Sequence, residues 1–91
     1  MTDYNPIDCQ TYSRYELAIL HQTALVLCWR DTSGIAHLES LMPLDLETRR
    51  GEEFLIARTR AGRSICLRLD HIIEARNAST TEWLQPPRTE A

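Results

Sequence analysis

The stretch that decides the fold reads Arg63-Ser64-Ile65-Cys66-Leu67-Arg68-Leu69-Asp70. Its apolar side chains recur at every second position, at Ile65, Leu67 and Leu69, with polar or small side chains between them. Because the side chains of a β-strand point alternately to opposite faces, this run predicts a strand with one buried face. The triplet Arg60-Ala61-Gly62 just before it is typical of a tight turn, so the strand is expected to be the second arm of a hairpin.

More short strands are predicted on both sides of this run. Residues 53–59 supply the first arm of that hairpin, and 71–76 continue as a last strand. Upstream, 23–30 and 35–41 are rich in β-formers and are joined by a polar, glycine-containing turn. The segment 42–51, with its proline and its Arg-Arg-Gly ending, is predicted to be a loop. This pattern favours a mainly β, five-stranded antiparallel barrel. The expected core comprises Leu27, Leu38, Ile56, Leu67 and Leu69.

One short helix is predicted ahead of the strands. Ser13-Arg14-Tyr15-Glu16 has the spacing of a capping box, in which Ser13 and Glu16 bond each other's backbone amides. Tyr12 and Leu17 have the spacing of a hydrophobic staple around that cap. The helix is therefore expected over 13–21.

The chain has the length of a single domain. It contains 91 residues, of which 43% are hydrophobic and 25% charged, which excludes intrinsic disorder. The domain is predicted over 1–76, and the polar segment 77–91 is predicted to be a C-terminal tail. Within that tail, residues 79–82 have the composition of one capped helical turn that would dock the Trp-Leu pair after it.

The charges are unevenly distributed along the chain. Residues 1–53 hold nine acids and four arginines, whereas 54–91 hold four acids and six arginines. The net charge is −3, opposite in sign to that of a typical non-specific nucleic-acid binder. No direct nucleic-acid ligand is expected, and an electropositive protein partner fits better. The sequence has no run apolar enough to span a membrane and no secretory leader, which favours a cytoplasmic location.

Neither a metal site nor an active site is predicted. Cys9, Cys28 and Cys66 are widely spaced and lack a C-x-x-C pair, and the three histidines are equally scattered. The sequence contains no phosphate-binding glycine loop and no nucleophile or metalloprotease motif. We therefore expect no enzyme activity, no cofactor and no metal.

The N-terminal region resembles a known bacterial family. Tyr4-Asn5-Pro6-Ile7-Asp8-Cys9, then Tyr12, then Glu16-Leu17-Ala18, is similar to the opening of the Rho-binding antiterminators, the Rof family. Leu67-Arg68-Leu69-Asp70 followed by Ile72 resembles that family's penultimate strand. The resemblance extends from about Tyr4 to Ala75. One departure is that Ser13 and Arg14 stand where the family commonly has an acid.

The resemblance implies both a fold and a function. The fold is an Sm-like small barrel preceded by a short helix. The function is to bind the transcription termination factor Rho and to block its access to nascent RNA, as a monomer without chemistry of its own. The implied contacts with Rho are Asp3, Tyr4, Asp8, Tyr12 and Glu16.

Two alternatives remain open from the residues alone. Arg58, Arg60, Arg63 and Arg68 are close in sequence and can line a phosphate-binding face, which would make the protein a stand-alone Sm-like RNA-binding module. The same arginines can instead solvate strand edges and deter edge pairing. The remaining alternative function is a scaffold for another protein.

Glu16 also allows two interpretations, as half of a capping box or as part of an acidic patch.

Overall fold

A computed structural model describes residues 7–87, which form one helix and a six-stranded antiparallel sheet. The elements run α1 (Cys9–Leu20), β1 (Leu25–Arg30), β2 (Ala36–Arg49), β3 (Glu52–Thr59), β4 (Ser64–Arg68), a 3₁₀ turn (Leu69–His71), β5 (Ile72–Asn77) and β6 (Trp83–Gln85). Strand order in the sheet is β4-β3-β2-β1-β5-β6, and every pairing is antiparallel. Within residues 7–87 there is no helix of the length and apolarity needed to cross a bilayer.

The mainly β class with one preceding helix is confirmed, whereas the five-stranded barrel is wrong. The sheet has six strands and is not closed, because β4 and β6 lie at its two ends. The sixth strand is the reason for the different count. It lies in the segment 77–91, which composition assigns to a polar tail, and it pairs with β5 through Ala75 opposite Gln85.

No helical turn forms at 79–82. The Asn77 side chain accepts from the amides of Ser79 at 2.8 Å and Thr80 at 3.0 Å, and Thr81 takes a positive φ of 63°. An Asx-type bend of this kind reverses the chain and competes with a helix. Leu84 is consequently buried in the sheet, while Trp83 remains 44% exposed.

The helix begins four residues earlier than the capping box predicts. Asp8 is the N-cap, and its side chain accepts from the Thr11 amide at 2.7 Å. Ser13 therefore lies inside the helix and is exposed. The longer helix buries Thr11, Tyr15 and Ala18 on one side, so tertiary packing selects the earlier cap. The predicted staple is also absent, since Leu17 is 55% exposed.

The predicted loop at 42–51 is instead the second half of the long strand β2. Pro43 is tolerated there because the pairing with β3 shifts register between Pro43 and Asp45. A proline has no amide to donate, and a bulge is where a sheet accepts one. Only Arg50 and Gly51 form the turn, with φ of 52° and 79°, which is the conformation of a tight hairpin turn.

Strand β4 confirms the alternation of the deciding stretch. Leu67 and Leu69 are buried and Ile65 packs against the core, whereas Ser64 and Cys66 are exposed. The strand ends two residues earlier than predicted, because Leu69–His71 turns as a 3₁₀ helix.

Strand register explains which core expectations are correct. Leu27, Leu67 and Leu69 are buried as predicted, but Leu38 is 65% exposed and Ile56 is only half-buried. Leu38 pairs with Cys28, so it shares the outer face of the sheet and not the face of Leu27. The buried hydrophobic residues are Tyr15, Ala18, Leu25, Leu27, Trp29, Leu41, Leu55, Ala57, Leu67, Leu69, Ile72, Ala75 and Leu84.

A buried hydrogen-bond chain joins the helix to the last two strands. Tyr15 is fully buried, and its hydroxyl donates to Gln85 Oε1 at 2.9 Å. Gln85 Nε2 donates in turn to the Ile72 carbonyl at 2.9 Å. Arg14 Nη1 also donates to the Leu84 carbonyl at 3.2 Å. These bonds hold α1, β5 and β6 together.

Matched leucine truncations test the register. Leu27→Ala is expected to lower the free energy of unfolding by about 2–5 kcal/mol, because it opens a cavity in the core. Leu38→Ala removes the same atoms from an exposed position and is expected to change it by less than about 0.5 kcal/mol. Urea unfolding followed by circular dichroism measures both, and equal losses would show that the register is wrong.

Removing the Tyr15 hydroxyl tests the buried chain of hydrogen bonds. Tyr15→Phe is expected to lower the free energy of unfolding by about 1–3 kcal/mol, since Gln85 Oε1 then loses a donor inside the protein. Tyr12→Phe removes a hydroxyl from a half-buried position of the same helix and serves as the control. A Tyr15→Phe protein as stable as the control would contradict this account.

Candidate functional site

Three of the predicted contact residues share one face of α1. Asp8, Tyr12 and Glu16 follow each other at intervals of four residues, and the Tyr12 amide donates to the Asp8 carbonyl at 3.0 Å. Side chains at this spacing lie one above the other along a helix. Asp3 and Tyr4, the other two predicted contacts, lie outside the described residues.

Asp8 combines an exposed charge with a structural role. The pKa of its carboxyl is lowered from 3.8, first by the backbone amide and then by the hydroxyl of Thr11, with Arg14 adding a favourable charge. Helix N-termini stabilise a negative charge in this position. Asp8 is thus held in place, because it caps the helix.

Glu16 has no capping role, because the helix begins at Cys9. It is exposed in the middle of α1, so the reading as half of a capping box is wrong. The acidic-patch reading is compatible with this position.

Two further carboxylates come close to Tyr12 from the sheet. The Tyr12 pKa is raised above 10.0, first by partial burial and then by the charges of Glu53, Glu16 and Asp45. Tyr12, Glu16 and Asp45 also line one hollow of about 290 Å³, together with Ile19, Leu20 and Leu46. We call Asp8, Tyr12, Glu16, Asp45 and Glu53 the acidic face.

Asp45 and Glu53 were missed because their position depends on long-range pairing. Asp45 follows the bulge of β2, in a segment that the sequence assigns to a loop, and Glu53 pairs with Thr48 across the hairpin. The one signal available was that both lie in the acidic half of the chain. The acidic face presents three carboxylates near the Tyr12 phenol and a fourth, Asp8, at the start of the same helix, an arrangement that suits a cationic protein surface. Exposed Leu20, 73% accessible, adds apolar area beside it.

The four arginines considered for RNA do not form one cluster. Arg68 is engaged by Asp70, with nitrogen–oxygen distances of 2.6 and 2.7 Å, and by Glu52 at 3.4 Å. Arg58 lines a different hollow, near Ile19 and Met42. Only Arg60 and Arg63 line the same hollow.

The remaining reactive side chains are dispersed. Cys9 and Cys66 are exposed, Cys28 is half-buried, and all three are free thiols. Over residues 7–87 no group of three or more His, Cys, Asp or Glu side chains has the geometry to hold a metal ion. His71 Nε2 lies 4.0 Å from Asp70 Oδ1, on the 3₁₀ turn and not on a strand as the sequence predicts.

Comparison with known proteins informs the fold alone. No protein-family model and no curated protein matches the sequence. Among solved structures, the chain is similar to part of the proteasome accessory factor B/C (PafBC) of Arthrobacter aurescens, with a TM-score of 0.71 and 16% identity. The match covers 89% of this chain and 13% of that one, so the chain spans about an eighth of that protein's length. At this identity the likeness shows a shared fold.

The cap at Asp8 makes a pH-dependent prediction. A carboxyl whose pKa is lowered on folding stabilises the protein above its unfolded value, and this contribution is lost as the pH falls through the lowered pKa. Asp8→Ala is therefore expected to lower the urea midpoint at pH 7, and the deficit relative to the wild type should shrink at about pH 2.5. Asp8→Asn, which preserves a capping oxygen, should lose less at pH 7. A deficit that does not change with pH would contradict the assignment.

Proposed function

We propose that this protein binds the transcription termination factor Rho through the acidic face and thereby blocks Rho's primary RNA-binding region. The observation that carries the proposal is that Tyr12, Glu16 and Asp45 line one hollow, beside the helix whose sequence resembles the Rho-binding antiterminators. The result is antitermination by steric and electrostatic competition, with no bond made or broken.

Charge complementarity supports this choice of partner. An RNA-binding surface must be electropositive, because phosphate contacts dominate its affinity. A competitor for that surface therefore needs carboxylates that can replace phosphates. The acidic face supplies four, although the net charge of the whole chain is only −3. Opposite charges also raise the association rate, and added salt lowers it again.

Rigidity of the acidic face is the second support. Asp8 is held by its cap bond to Thr11, and the helix is fastened to the sheet by the buried hydroxyl of Tyr15. Groups that are already ordered lose little conformational entropy on binding. Tyr12, half-buried between the carboxylates, adds amphipathic contact area of the kind that interfaces favour.

The finer fold assignment belongs to the same proposal. We infer an Sm-like domain, an assignment supported by the short helix before β1 and by the antiparallel pairing of the strands. The proposed protein is a cytoplasmic monomer without a cofactor. Strand β6 adds a sixth strand to the predicted five-stranded arrangement.

A competition assay with purified Rho and labelled single-stranded RNA tests the proposal. Excess protein is expected to displace the RNA at about 0.1 M salt and to do so less well at about 0.3 M, where charges are screened over a shorter distance. If RNA stays bound to Rho at the lower salt concentration, the proposal fails.

Isosteric variants test the surface without unfolding it. Glu16→Gln, Asp45→Asn and Glu53→Gln are each expected to weaken inhibition about two- to fivefold, the range of a solvent-exposed ion pair. Together they should weaken it about eightfold or more, as the product of about two- to fivefold each. Glu74→Gln, on β5 and outside the acidic face, removes an equal charge and is the matched control. Inhibition that survives the triple variant, or that falls equally in the control, would place the interface elsewhere.

A further inference from the structure

A second hollow lies on the sheet, away from the acidic face. It has a volume of about 640 Å³ and is lined by aromatic, cationic and hydrogen-bonding side chains, including Trp29, His37, Glu39, Thr59, Arg60 and Arg63. The β1–β2 hairpin supplies the first three and the β3–β4 hairpin the last three. Volumes of about 300–1,000 Å³ are typical of small-ligand pockets.

An ordered aromatic pair forms one wall. The rings of Trp29 and His37 stack with a centroid distance of 5.2 Å and an interplanar angle of 14°. Trp29 is almost buried, whereas the His37 side chain is 38% exposed and lines the hollow. His37 Nε2 lies 2.8 Å from Asp31 Oδ2, and this hydrogen bond is the main cause of the lowered pKa of Asp31.

The same aspartate fixes the imidazole to its hairpin. Asp31 Oδ1 accepts from the amides of Ser33 at 2.9 Å and Ile35 at 3.0 Å, so one side chain both shapes the turn and holds His37. The exposed part of the imidazole is thereby ready to stack with another planar group at little entropic cost.

Two arginines also line this hollow. Arg60 and Arg63 flank the turn at Gly62, and both are exposed. Neither guanidinium pairs with an acid among residues 7–87. The turn itself is closed by Thr59, whose hydroxyl accepts from the Arg63 amide at 3.1 Å.

We propose that this hollow binds one nucleotide of single-stranded RNA. The base would stack on His37, backed by Trp29, and the phosphate would bind Arg60 and Arg63. Stacking on side-chain rings combined with arginine contacts to phosphate is the common chemistry of single-strand recognition. A double helix does not fit this arrangement, because its bases are not available to stack in a pocket.

Glu39 discriminates between a nucleotide and a simple anion. Its carboxylate lies in the same hollow, where it repels phosphate or an acidic peptide. It can nevertheless accept a hydrogen bond from the amino group of a base, as carboxylates do with cytosine. A ligand with both an anionic part and an amino-bearing planar part satisfies all of these side chains.

This inference is independent of the proposed binding of Rho and departs from the expectation of no direct nucleic-acid ligand. That expectation rests on the net charge of the chain. Strand pairing brings Trp29 and His37 to Arg60 and Arg63, which are about thirty residues later. The local composition of the hollow therefore differs from that of the chain.

Tryptophan fluorescence of the full chain tests the site directly. The chain has two tryptophans, so Trp83→Phe leaves Trp29 as the reporter. Titration with a single-stranded RNA hexamer containing cytidine is expected to change the Trp29 emission saturably. The dependence of log affinity on log salt should have a slope of about −0.7 for one neutralised phosphate.

Paired arginine variants distinguish binding in the hollow from non-specific attraction between RNA and the positive charges of the protein. Arg60→Gln with Arg63→Gln is expected to weaken RNA binding about tenfold or more and to flatten the salt dependence. Arg50→Gln with Arg58→Gln removes the same charge from outside the hollow and should leave binding within about twofold. Glu39→Gln should reduce the preference for cytidine over uridine.

Four outcomes would overturn the proposal. Two are the absence of a saturable emission change with RNA and an equal loss in the Arg50/Arg58 control. The third is an equal response to inorganic phosphate, which would indicate a simple anion site, and the fourth is an equal response to double-stranded RNA, which would contradict stacking of a base. Because Rho is absent from this assay, its result does not depend on the proposed binding of Rho.

Discussion

The buried bond from the Tyr15 hydroxyl to Gln85 is the constraint on which the rest of the structure depends. It sets the rotation of α1 about its axis, because Tyr15 must point into the protein. Tyr12, three residues before Tyr15, then lies at the margin of the buried side, where it packs against the core, and Glu16 is exposed beside it. It also requires a partner at position 85, so β6 is ordered by the same interaction. The helix, the last strand and the acidic face are therefore one cooperative unit.

Local patterns predicted most of the sheet, and long-range packing decided the rest. The alternation at Ile65, Leu67 and Leu69 is a property of a strand alone, so it was readable from the sequence. The helix start was not, because Asp8 and Ser13 both have capping side chains and the choice depends on burial of Thr11 and Tyr15. The sequence pattern around Pro43 also predicted a loop. A pattern of neighbouring residues does not reveal the bulge that accommodates this proline in β2.

The candidate sites also combine residues that the sequence could identify with residues that only long-range pairing brings together. Tyr12 and Glu16 could be predicted as contact residues because the sequence around them resembles a known family. Asp45 comes close to them only through the pairing of β2 beyond its bulge. The Trp29–His37 pair depends on the register of one hairpin, and its meeting with Arg60 and Arg63 depends on a second hairpin. The net charge of the chain averages over an acidic surface and an arginine-lined one. The ligand of each surface therefore has to be inferred from the side chains of that surface.

The position of β6 has a consequence for the symmetry of any assembly. Strand β5 is paired on both sides, by β1 and β6, and the Leu84 carbonyl of β6 already accepts from Arg14. Among the described strands, β4 and β6 each pair on one side only. Head-to-tail association of sheets needs two different open edges on each copy, and it produces rings or open filaments. Strand β6 replaces the six-residue edge that β5 would present with an edge of three residues, and very short edge strands are one way in which proteins limit pairing between sheets. The addition of β6 therefore disfavours extended polymerisation through this side of the sheet.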